Sequence, residues 1–454
     1  MNPSQSDPQH FLILGGGVCG IYAALTALRK GHNVTLIEKA DHLGGLAAGY
    51  QRNENFYDIG VHMLHAFDKD IFTDIKNLMG DDRIEVPLDA RIRWRKSTYK
   101  YPLKFGDLIK EMPKFTLLYG VSGLVIAEIK RAISTPVTNN AEEALIAFYG
   151  RPLYSFFFEE FTHKYWGIHP RELSAEFIKR KMPRLSAVDF FRKQLARFLP
   201  VKEDLTTESS LKEETLHYSR KGSSQMIIAM QNELEKLGCE ILTSTEIQSI
   251  NLEGKSLTLS DNREIQGDTI INTIPVNNFI ALCESVPKDV TIAAKALKFK
   301  PIATYGLLIN KPKLIDGLYI YYRNKSFHRL GEPKNAGVTV KPDGHSILIV
   351  ESTCDLNDER WNATEEWKQK IIADLESESI CKAEDIVEWH TITYPHAYPI
   401  FTLDFEKSLE ISLDWIHSHH KVKTTGRQGA FTYPAMHNAM RMGQSAVEEI
   451  ADTI

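Results

Sequence analysis

The sequence has few cysteines and lacks both a long apolar run and a marked excess of charge. Its five cysteines are scattered and form no CxxC pair, which gives no support for a zinc site or a disulfide framework. It contains no run of 18 apolar residues, so neither a membrane-spanning helix nor a membrane partner is expected. The polar N-terminus lacks the apolar core of a signal peptide, and a reducing, cytoplasmic location fits these absences.

The charge balance gives no support for a nucleic-acid partner. The 454 residues carry a formal net charge of −5, which offers no general attraction for a polyanion. An anionic ligand would therefore need a local basic cluster. With 43% hydrophobic and 25% charged residues, the composition is that of a globular protein, and the length predicts two or three domains. No metal site is predicted.

Against these absences, one glycine-rich stretch is highly informative. Residues 11–45 read FLILGGGVCGIYAALTALRKGHNVTLIEKADHLGG, with Gly15, Gly17 and Gly20 in G-x-G-x-x-G spacing. The first glycine allows a tight turn, the second lets the backbone approach a pyrophosphate, and the third lets a helix pack closely on a strand. A helical pattern over residues 18–30 follows, and its N-terminal amides suit a phosphate anion.

The next strand completes a dinucleotide-binding unit. Residues 33–37 form the second predicted strand, and Glu38 at its end can accept the hydroxyls of an adenosine ribose. The order strand, glycine turn, helix, strand and acid is more specific than the glycines alone. Gly44 and Gly45 follow, an extension that resembles the FAD-binding segment of flavin oxidoreductases. Since no second glycine motif is present for a nicotinamide nucleotide, the predicted cofactor is FAD.

Other segments bear on the substrate. The loop DIGVHMLHA carries His62 and His65, which either approach the flavin or are ordinary loop histidines. Basic residues are frequent in residues 91–104, part of a predicted hairpin, and in residues 179–197. These stretches favour an anionic substrate over an amine.

The patterns together predict an α/β fold with three parts. A Rossmann-like FAD-binding domain is built from discontinuous segments, residues 9–85, 216–285 and 420–454. Helical patterns dominate an insert, the helical domain of residues 105–215. An antiparallel β-sheet substrate domain takes residues 86–104 and 286–419. A crevice between the domains is the expected place for a substrate.

Several segments resemble the UDP-galactopyranose mutases, a family within the amine-oxidase and protoporphyrinogen-oxidase-like FAD superfamily. The resemblance covers nearly the whole chain, but in separate segments. The similar segments read IGVHMLHA, FFEEFTHKYWG, ELSAEFIKRKMPR, SFHRLGEPKN, AYPIFTLDFEKSLE and GRQGAFTYPAMHNAM. It implies that His62, Arg427 and Met436 bind the flavin cofactor, and that His62 is also catalytic.

The same resemblance implies a substrate site. Arg180 and Arg329, also implied as catalytic, would bind the diphosphate of a nucleotide sugar through bidentate donors matched to phosphate oxygens. Aromatic side chains would hold the rest of the substrate: two phenylalanines around the base, a tryptophan near the sugar and two tyrosines, which are Phe157, Phe161, Trp166, Tyr398 and Tyr433. The alternatives are that the arginines lie on the surface and that the phenylalanines belong to the core.

Some positions depart from the mutase pattern. Two tyrosines that help to hold the diphosphate in the mutases have no match, because one aligns with Ser352 and the other falls at or beside Phe190 and Phe191. His437 stands where an acid is common. These departures bear on the sugar and the base, neither of which the sequence names.

The activity that the resemblance implies is that of a flavin-dependent isomerase. Such an enzyme interconverts the pyranose and furanose forms of an NDP-sugar for surface glycan biosynthesis, with N5 of the reduced flavin as nucleophile at the anomeric carbon. The reduced FAD is the active form, so an external reductant is an expected partner, and the resemblance suggests a homodimer. The alternatives are a flavin oxidase or desaturase, acting on an amine, a porphyrinogen or a polyene, and a non-catalytic FAD-bound scaffold.

Overall fold

Two large sheets of different topology organise the chain. The computed structural model describes residues 7–60, 62–94, 97–101, 110–134, 136–176, 178 and 215–451. The strands are β1 His10–Leu14, β2 Asn33–Ile37, β3 Gly49–Arg52, β4 Asn55–Asp58, β5 Arg83–Pro87, β6 Ala90–Trp94, β7 Ser97–Tyr101, β8 Thr215–Ser219, β9 Glu240–Leu242, β10 Ile247–Asn251, β11 Ser256–Leu259, β12 Glu264–Gln266, β13 Thr269–Asn272, β14 Lys298–Ile309, β15 Tyr319–Tyr322, β16 Arg329–Gly331, β17 Ser346–Thr353, β18 Ile386–Ile400 and β19 Val422–Thr424. The helices are α1 Val18–Arg29, α2 Lys69–Met79, α3 Lys114–Ile133, α4 Ala141–Leu153, α5 Glu159–Trp166, α6 Ser224–Lys236, α7 Val276–Leu282, α8 Lys288–Ala296, α9 Glu365–Ser377, α10 Phe405–His417, α11 Gly426–Gly429 and α12 Met436–Ala451.

The first sheet is parallel, with the strand order β19-β13-β1-β2-β9. Its central strand β1 lies between β13 and β2, so that Phe11 is opposite both Thr269 and Val34. The strands are largely buried, which explains why they read as short apolar runs rather than as alternating ones. Because the strands come from the start, the middle and the end of the chain, the predicted α/β fold with a discontinuous Rossmann-like unit is confirmed.

The second sheet has the strand order β18-β14-β17-β16-β15-β6-β7. The predicted hairpin within residues 86–104 is present as β6 and β7, which pair antiparallel. However, β6 pairs parallel with β15, with Ala90 opposite Tyr319. The sheet predicted to be antiparallel is therefore mixed. The hairpin comes from a much earlier part of the chain than β15, so no tight turn fixes an antiparallel direction between them.

Helices α3 to α5 form the described part of the helical insert. The Asn140 side chain accepts a hydrogen bond from the amide N–H of Glu143 and so caps the start of α4. A π-helical turn, Tyr154–Phe158, joins α4 to α5, which ends at Gly167 in a left-handed conformation. None of the described helices is both long and apolar enough to cross a membrane.

The predicted domain boundaries stay a prediction, and the packing suggests one change to them. Helices α8 and α10 fall within residues 286–419, the range predicted for the substrate domain. Nevertheless, Val290 of α8 and Phe405 of α10 share a hydrophobic cluster with Leu12 and Leu14 of β1. We propose that these two helices belong with the parallel sheet.

Candidate active site

The glycine turn after β1 has the geometry that its spacing predicts. Gly15 has a φ of +102°, and a side-chain carbon added there would lie 2.6 Å from Oγ1 of Thr273. A side-chain carbon at Gly20 would overlap the carbonyl oxygen of Gly15, so α1 packs directly on the turn. Gly17 differs, because no atom of the described residues, its chain neighbours aside, lies within 4 Å of such a carbon. The open space beside Gly17 is where a pyrophosphate can approach the backbone.

Glu38 and Gly44 hold the second glycine segment against the first. The carboxylate of Glu38 accepts hydrogen bonds from the amide N–H groups of Gly16 at 2.6 Å and Ala40 at 2.8 Å. The amide N–H of Gly44 donates to the carbonyl oxygen of Gly16 at 2.7 Å. As a result, Gly44 and Gly45 line the same space as the first glycine turn.

These elements open into a cleft of about 830 Å³, within the size range of cofactor pockets. Its walls come from the ends of the parallel strands, the loop after β4, the strand β18 and the C-terminal turn. Gly20 lies behind the wall, where it sets the packing of α1. The other residues predicted to bind the cofactor all line the cleft, namely Gly15, Gly17, Glu38, Gly44, Gly45, His62, Arg427 and Met436.

His62 lies at the wall of this cleft and is charged only in acid. Burial and the nearby guanidinium groups of Arg427 and Arg329 lower the pKa of His62 to about 4, although Glu351 opposes them. Its Nδ1 atom is buried and has no hydrogen-bond partner among the described residues. A buried ring nitrogen without a partner, at the wall of an open cleft, indicates a site that a bound group completes.

Arg329 and Glu351 form a largely buried ion pair near His62, in which the side chain of Glu351 is 1% exposed and that of Arg329 is 15% exposed. They lie opposite each other on β16 and β17, and Nε and Nη2 of Arg329 donate to the two carboxylate oxygens of Glu351, each at 2.7 Å. Burial alone would raise the pKa of the Glu351 carboxyl, but Arg329 and His328 hold it well below its ordinary value. Nη1 of Arg329 lies 3.5 Å from the hydroxyl of Tyr321. The guanidinium is thus fixed in place, with N–H donors remaining for a ligand.

Three tyrosines and a second arginine form a cluster at the same place. The ring of Tyr398 lies 5.4 Å from the rings of Tyr165 and Tyr433, measured between centroids. The hydroxyls of Tyr165 and Tyr433 are 3.5 Å apart. Arg427 lies 4.8 Å from the centre of the Tyr433 ring and also lines the cleft beside His62. The tyrosine cluster and the ion pair therefore adjoin the cleft at His62. We call the group formed by Arg329, Glu351, Arg427 and the three tyrosines the arginine–tyrosine site.

The aromatic segment predicted to hold the base divides between the core and this site. Phe157 and Trp166 are buried, and Phe157 packs edge to face on Tyr99 with the ring centroids 5.5 Å apart. Phe161 is half-buried and stacks on Tyr165 at 5.9 Å. Phe161 thus continues the tyrosine cluster, whereas Phe157 contributes to the core. The sandwich of a base between Phe157 and Phe161 stays a prediction.

The positions that depart from the mutase pattern have structural partners here. Ser352 is buried and donates a hydrogen bond to the carbonyl oxygen of Ser326 at 3.1 Å. His437 is buried at the start of α12, and its ring lies 6.0 Å from that of His65. His65 itself stacks on Phe67 at 5.5 Å and is not among the residues that line the cleft. The remaining predicted residues, Arg180, Phe190 and Phe191, lie outside the described residues.

The sequence-based prediction missed Glu351, Tyr165 and Tyr321. A signal existed for Glu351, because it interrupts the apolar strand SILIVEST and a carboxylate in a buried strand needs a partner. No comparable signal marked the two tyrosines. Their place in the site follows from which rings the fold brings next to them.

The fold and the cleft define an FAD-dependent flavoprotein. The family of flavin-containing amine oxidoreductases matches residues 18–376, about four-fifths of the chain, and the protein belongs to that family. FAD is its cofactor. The cleft, its backbone turns and the partnerless nitrogen of His62 fit this cofactor.

Two curated relatives are nucleotide-sugar mutases. The chain is 26% identical over 185 residues to the probable UDP-galactopyranose mutase of Klebsiella pneumoniae, covering 40% of this chain and 47% of the relative. It is 24% identical over 188 residues to the dTDP-fucopyranose mutase of Escherichia coli, covering 40% and 48%. The chain thus spans about half the length of the curated relatives it matches. A crystal structure of reduced UDP-galactopyranose mutase has the same fold, with a TM-score of 0.82 at 18% identity, covering 98% of this chain and 94% of that one.

Proposed function

We propose that this chain is an FAD-dependent isomerase that interconverts the pyranose and furanose forms of a nucleotide sugar for surface glycan biosynthesis. The observation that carries the proposal is the arginine–tyrosine site beside the FAD cleft. It combines a fixed guanidinium, a second arginine and several phenol groups, which are the donors that a diphosphate requires. The mutase names of the two curated relatives support the same substrate class.

Arg329 is the proposed anchor for the diphosphate. Glu351 takes one N–H from Nε and one from Nη2, and Nη1 donates one to the hydroxyl of Tyr321, which leaves two of the five guanidinium N–H groups. Because the fork is already held in one orientation, binding a phosphate costs little side-chain entropy. Glu351 also cancels the charge of Arg329. The net positive charge of the site therefore comes from Arg427 and, as the resemblance to the mutases implies, from Arg180.

The remaining residues position the substrate in this proposal. Reduced FAD, when bound, supplies a nucleophilic nitrogen for the anomeric carbon. The arginines hold the displaced diphosphate next to the sugar, so that its return is effectively unimolecular. His62 is neutral at pH 7 because its pKa is lowered to about 4, and it adds no charge that would compete for the diphosphate. The hydroxyls of Tyr398 and Tyr433 are further donors for the phosphate oxygens.

The test is turnover with the flavin reduced. The purified protein is loaded with FAD, reduced with dithionite and mixed with UDP-galactopyranose or dTDP-fucopyranose. We expect a furanose product on chromatography, and none from the oxidised enzyme. Arg329→Lys should keep FAD bound but lower the rate about tenfold or more, because the bidentate fork is lost. Arg263→Lys is the control, since Nε of Arg263 donates to Asp261 at 2.7 Å where both side chains are more than half exposed.

A second candidate is a flavin oxidase or desaturase, which membership of the amine oxidoreductase family favours. Such an enzyme requires oxidised FAD and an electron acceptor. Oxygen consumption with an amine, a porphyrinogen or a polyene, together with no furanose product from either nucleotide sugar under reducing conditions, would replace the mutase proposal with this one.

A further inference from the structure

Helix α3 carries an exposed apolar stripe that the proposed function does not use. Six of its large apolar side chains are between 53% and 90% exposed. At about 100° per residue, they fall on one face of the helix. A surface helix normally directs its apolar face to the core, so this stripe is unusual. The members of the α3 stripe are Phe115, Leu118, Tyr119, Ile126, Ile129 and Ile133.

The opposite face fixes the stripe in its exposed position. A side-chain carbon at Gly123 would overlap the ring of Pro152 in α4, and one at Gly120 would lie 2.9 Å from the side chain of Leu153. Leu124, on the same face, is fully buried. Because α3 meets α4 through glycines at van der Waals distance, the helix cannot rotate to bury the stripe without creating overlaps.

The stripe is large enough to act as a docking surface. A large apolar side chain contributes on the order of 100 Å² of surface, so six of them present roughly 600 Å². That is at the upper end of what monomeric proteins expose in one patch, and patches of this size mark sites of protein or membrane contact. With 20 residues, α3 is about 30 Å long, and the stripe runs from its first turn to its last.

The charges around the stripe distinguish between possible occupants. Lys114 and Lys130 are exposed at its two ends. Among the described residues of α3, the only acid is Glu128, which is partly covered and forms an ion pair with Arg131 at 2.9 Å. At 100° per residue, Lys114 and Lys130 lie on opposite flanks of the stripe, and the described residues of a second copy's α3 offer no exposed acid to pair with them. An anionic lipid surface pairs both lysines with headgroups.

We propose that the α3 stripe docks the protein on the surface of an anionic membrane. The apolar side chains enter the boundary between headgroups and acyl chains, while Lys114 and Lys130 contact the headgroups. This is peripheral binding by a helix that lies in the plane of the membrane, so it does not require a membrane-spanning segment. The inference departs from the sequence-based expectation of no membrane partner, and it does not depend on which reaction the cleft performs.

The test is sedimentation of the FAD-loaded, full-length protein with lipid vesicles. We expect binding to vesicles that contain phosphatidylglycerol and much weaker binding to phosphatidylcholine alone. The triple variant Leu118→Gln, Ile126→Gln, Ile129→Gln should bind about a hundredfold more weakly, because its apolar contacts are lost. Lys114→Gln and Lys130→Gln should each weaken binding to the anionic vesicles about fivefold.

A control variant tests whether vesicle binding depends on the α3 stripe or on any exposed apolar side chain. Ile228→Gln, Ile292→Gln and Val387→Gln together remove three exposed apolar side chains from other elements, and this variant should bind vesicles like the wild type. Equal loss in both triple variants, or no vesicle binding by the wild type, overturns the proposal. A dimer in sedimentation equilibrium that only the α3 triple variant dissociates, without vesicle binding, would instead assign the stripe to a second copy. Unchanged flavin absorbance and melting temperature show that each variant is folded.

Discussion

The FAD cleft and the arginine–tyrosine site adjoin at His62, but they are built in different ways. The cleft is formed mainly by backbone: glycine turns, the start of α1 and the amide groups that Glu38 ties together. The arginine–tyrosine site is formed by side chains from separate parts of the chain, among them Arg329 on β16 and Tyr433 after α11. The first kind of site is encoded in consecutive residues, whereas the second exists only after the sheets have assembled.

The two regions also differ in what a substitution does. In the cleft, most of the cost of a change is steric, because a side-chain carbon at Gly15 or Gly20 would come too close to neighbouring protein atoms. In the arginine–tyrosine site the cost is electrostatic, because Arg329 and Glu351 are charged and withdrawn from water. Variants that act on one region and leave the other unchanged therefore test the comparison directly.

The largest effect is expected from breaking the buried ion pair. Glu351→Ala leaves the Arg329 charge buried without its partner, and we expect a loss of about 3–5 kcal/mol in the free energy of unfolding. Urea denaturation of the purified protein measures this loss. Asp261→Ala is the control, because Asp261 pairs with Arg263 at 2.7 Å while both side chains are more than half exposed. That pair should contribute little to the free energy of unfolding, because water and salt screen exposed charges. Losses of similar size in the two variants would contradict the electrostatic account.

The next largest effect is a pH dependence of the free energy of unfolding that is caused by His62, which lies where the two regions adjoin. Because the pKa of His62 is about 4 in the folded protein and about 6.5 in the unfolded chain, the unfolded state binds an extra proton between these values. Stability should therefore fall by about 3 kcal/mol as the pH drops from 6.5 to 4. His62→Gln should remove this part of the slope in urea titrations at several pH values. An unchanged slope would show that other groups cause it.

His217 supplies the comparison for that titration. Burial and Arg83 also lower its pKa to about 4, but it lies on β8 and is not among the residues that line the FAD cleft. His217→Gln should therefore reduce the same slope without affecting FAD binding, whereas His62→Gln should weaken FAD binding as well. Equal FAD affinity in both variants would exclude His62 from the cofactor site.

The cleft was predictable from the sequence because its parts are local. The spacing of Gly15, Gly17 and Gly20 fixes a turn, and the strand that follows must end at Glu38 whatever the rest of the chain does. By contrast, the parallel pairing of β6 with β15 joins segments more than 200 residues apart. No local pattern specifies the direction of such a pairing, so the sheet was expected to be antiparallel.

The arginine–tyrosine site was predictable only in part. The resemblance to the mutases pointed to Arg329, Tyr398 and Tyr433, but it gave no reason to select Glu351, which fixes the guanidinium. The exposed face of α3 was likewise not predictable from the sequence. Its sequence is apolar on both faces of the helix, and only the packing of Gly123 on Pro152 decides which face stays exposed.

A smaller effect should separate the glycines of the cleft. Gly20→Ala places a side-chain carbon on the carbonyl oxygen of Gly15, and we expect it to lower the free energy of unfolding by about 2 kcal/mol even without FAD. Gly17→Ala meets no neighbouring atom in the part of the chain that the structure describes, and the φ of Gly17 is −72°, so the protein without FAD should be as stable as the wild type. Gly17→Ala should instead weaken FAD binding about tenfold in fluorescence titration. Equal destabilisation by the two variants would show that the space beside Gly17 is not reserved for a ligand.

The smallest effect is expected from one hydroxyl in the arginine–tyrosine site. Tyr433→Phe keeps the ring on Arg427 and removes the donor proposed for the diphosphate. Nucleotide-sugar affinity, measured by calorimetry on the reduced protein, should fall about fivefold, with FAD affinity and melting temperature unchanged. Tyr22→Phe is the matched control, because the hydroxyl of Tyr22 donates to Asp74 at 2.7 Å, a contact between α1 and α2. An affinity that does not change in Tyr433→Phe would leave the arginines alone to hold the diphosphate, and the tyrosines would then be packing residues.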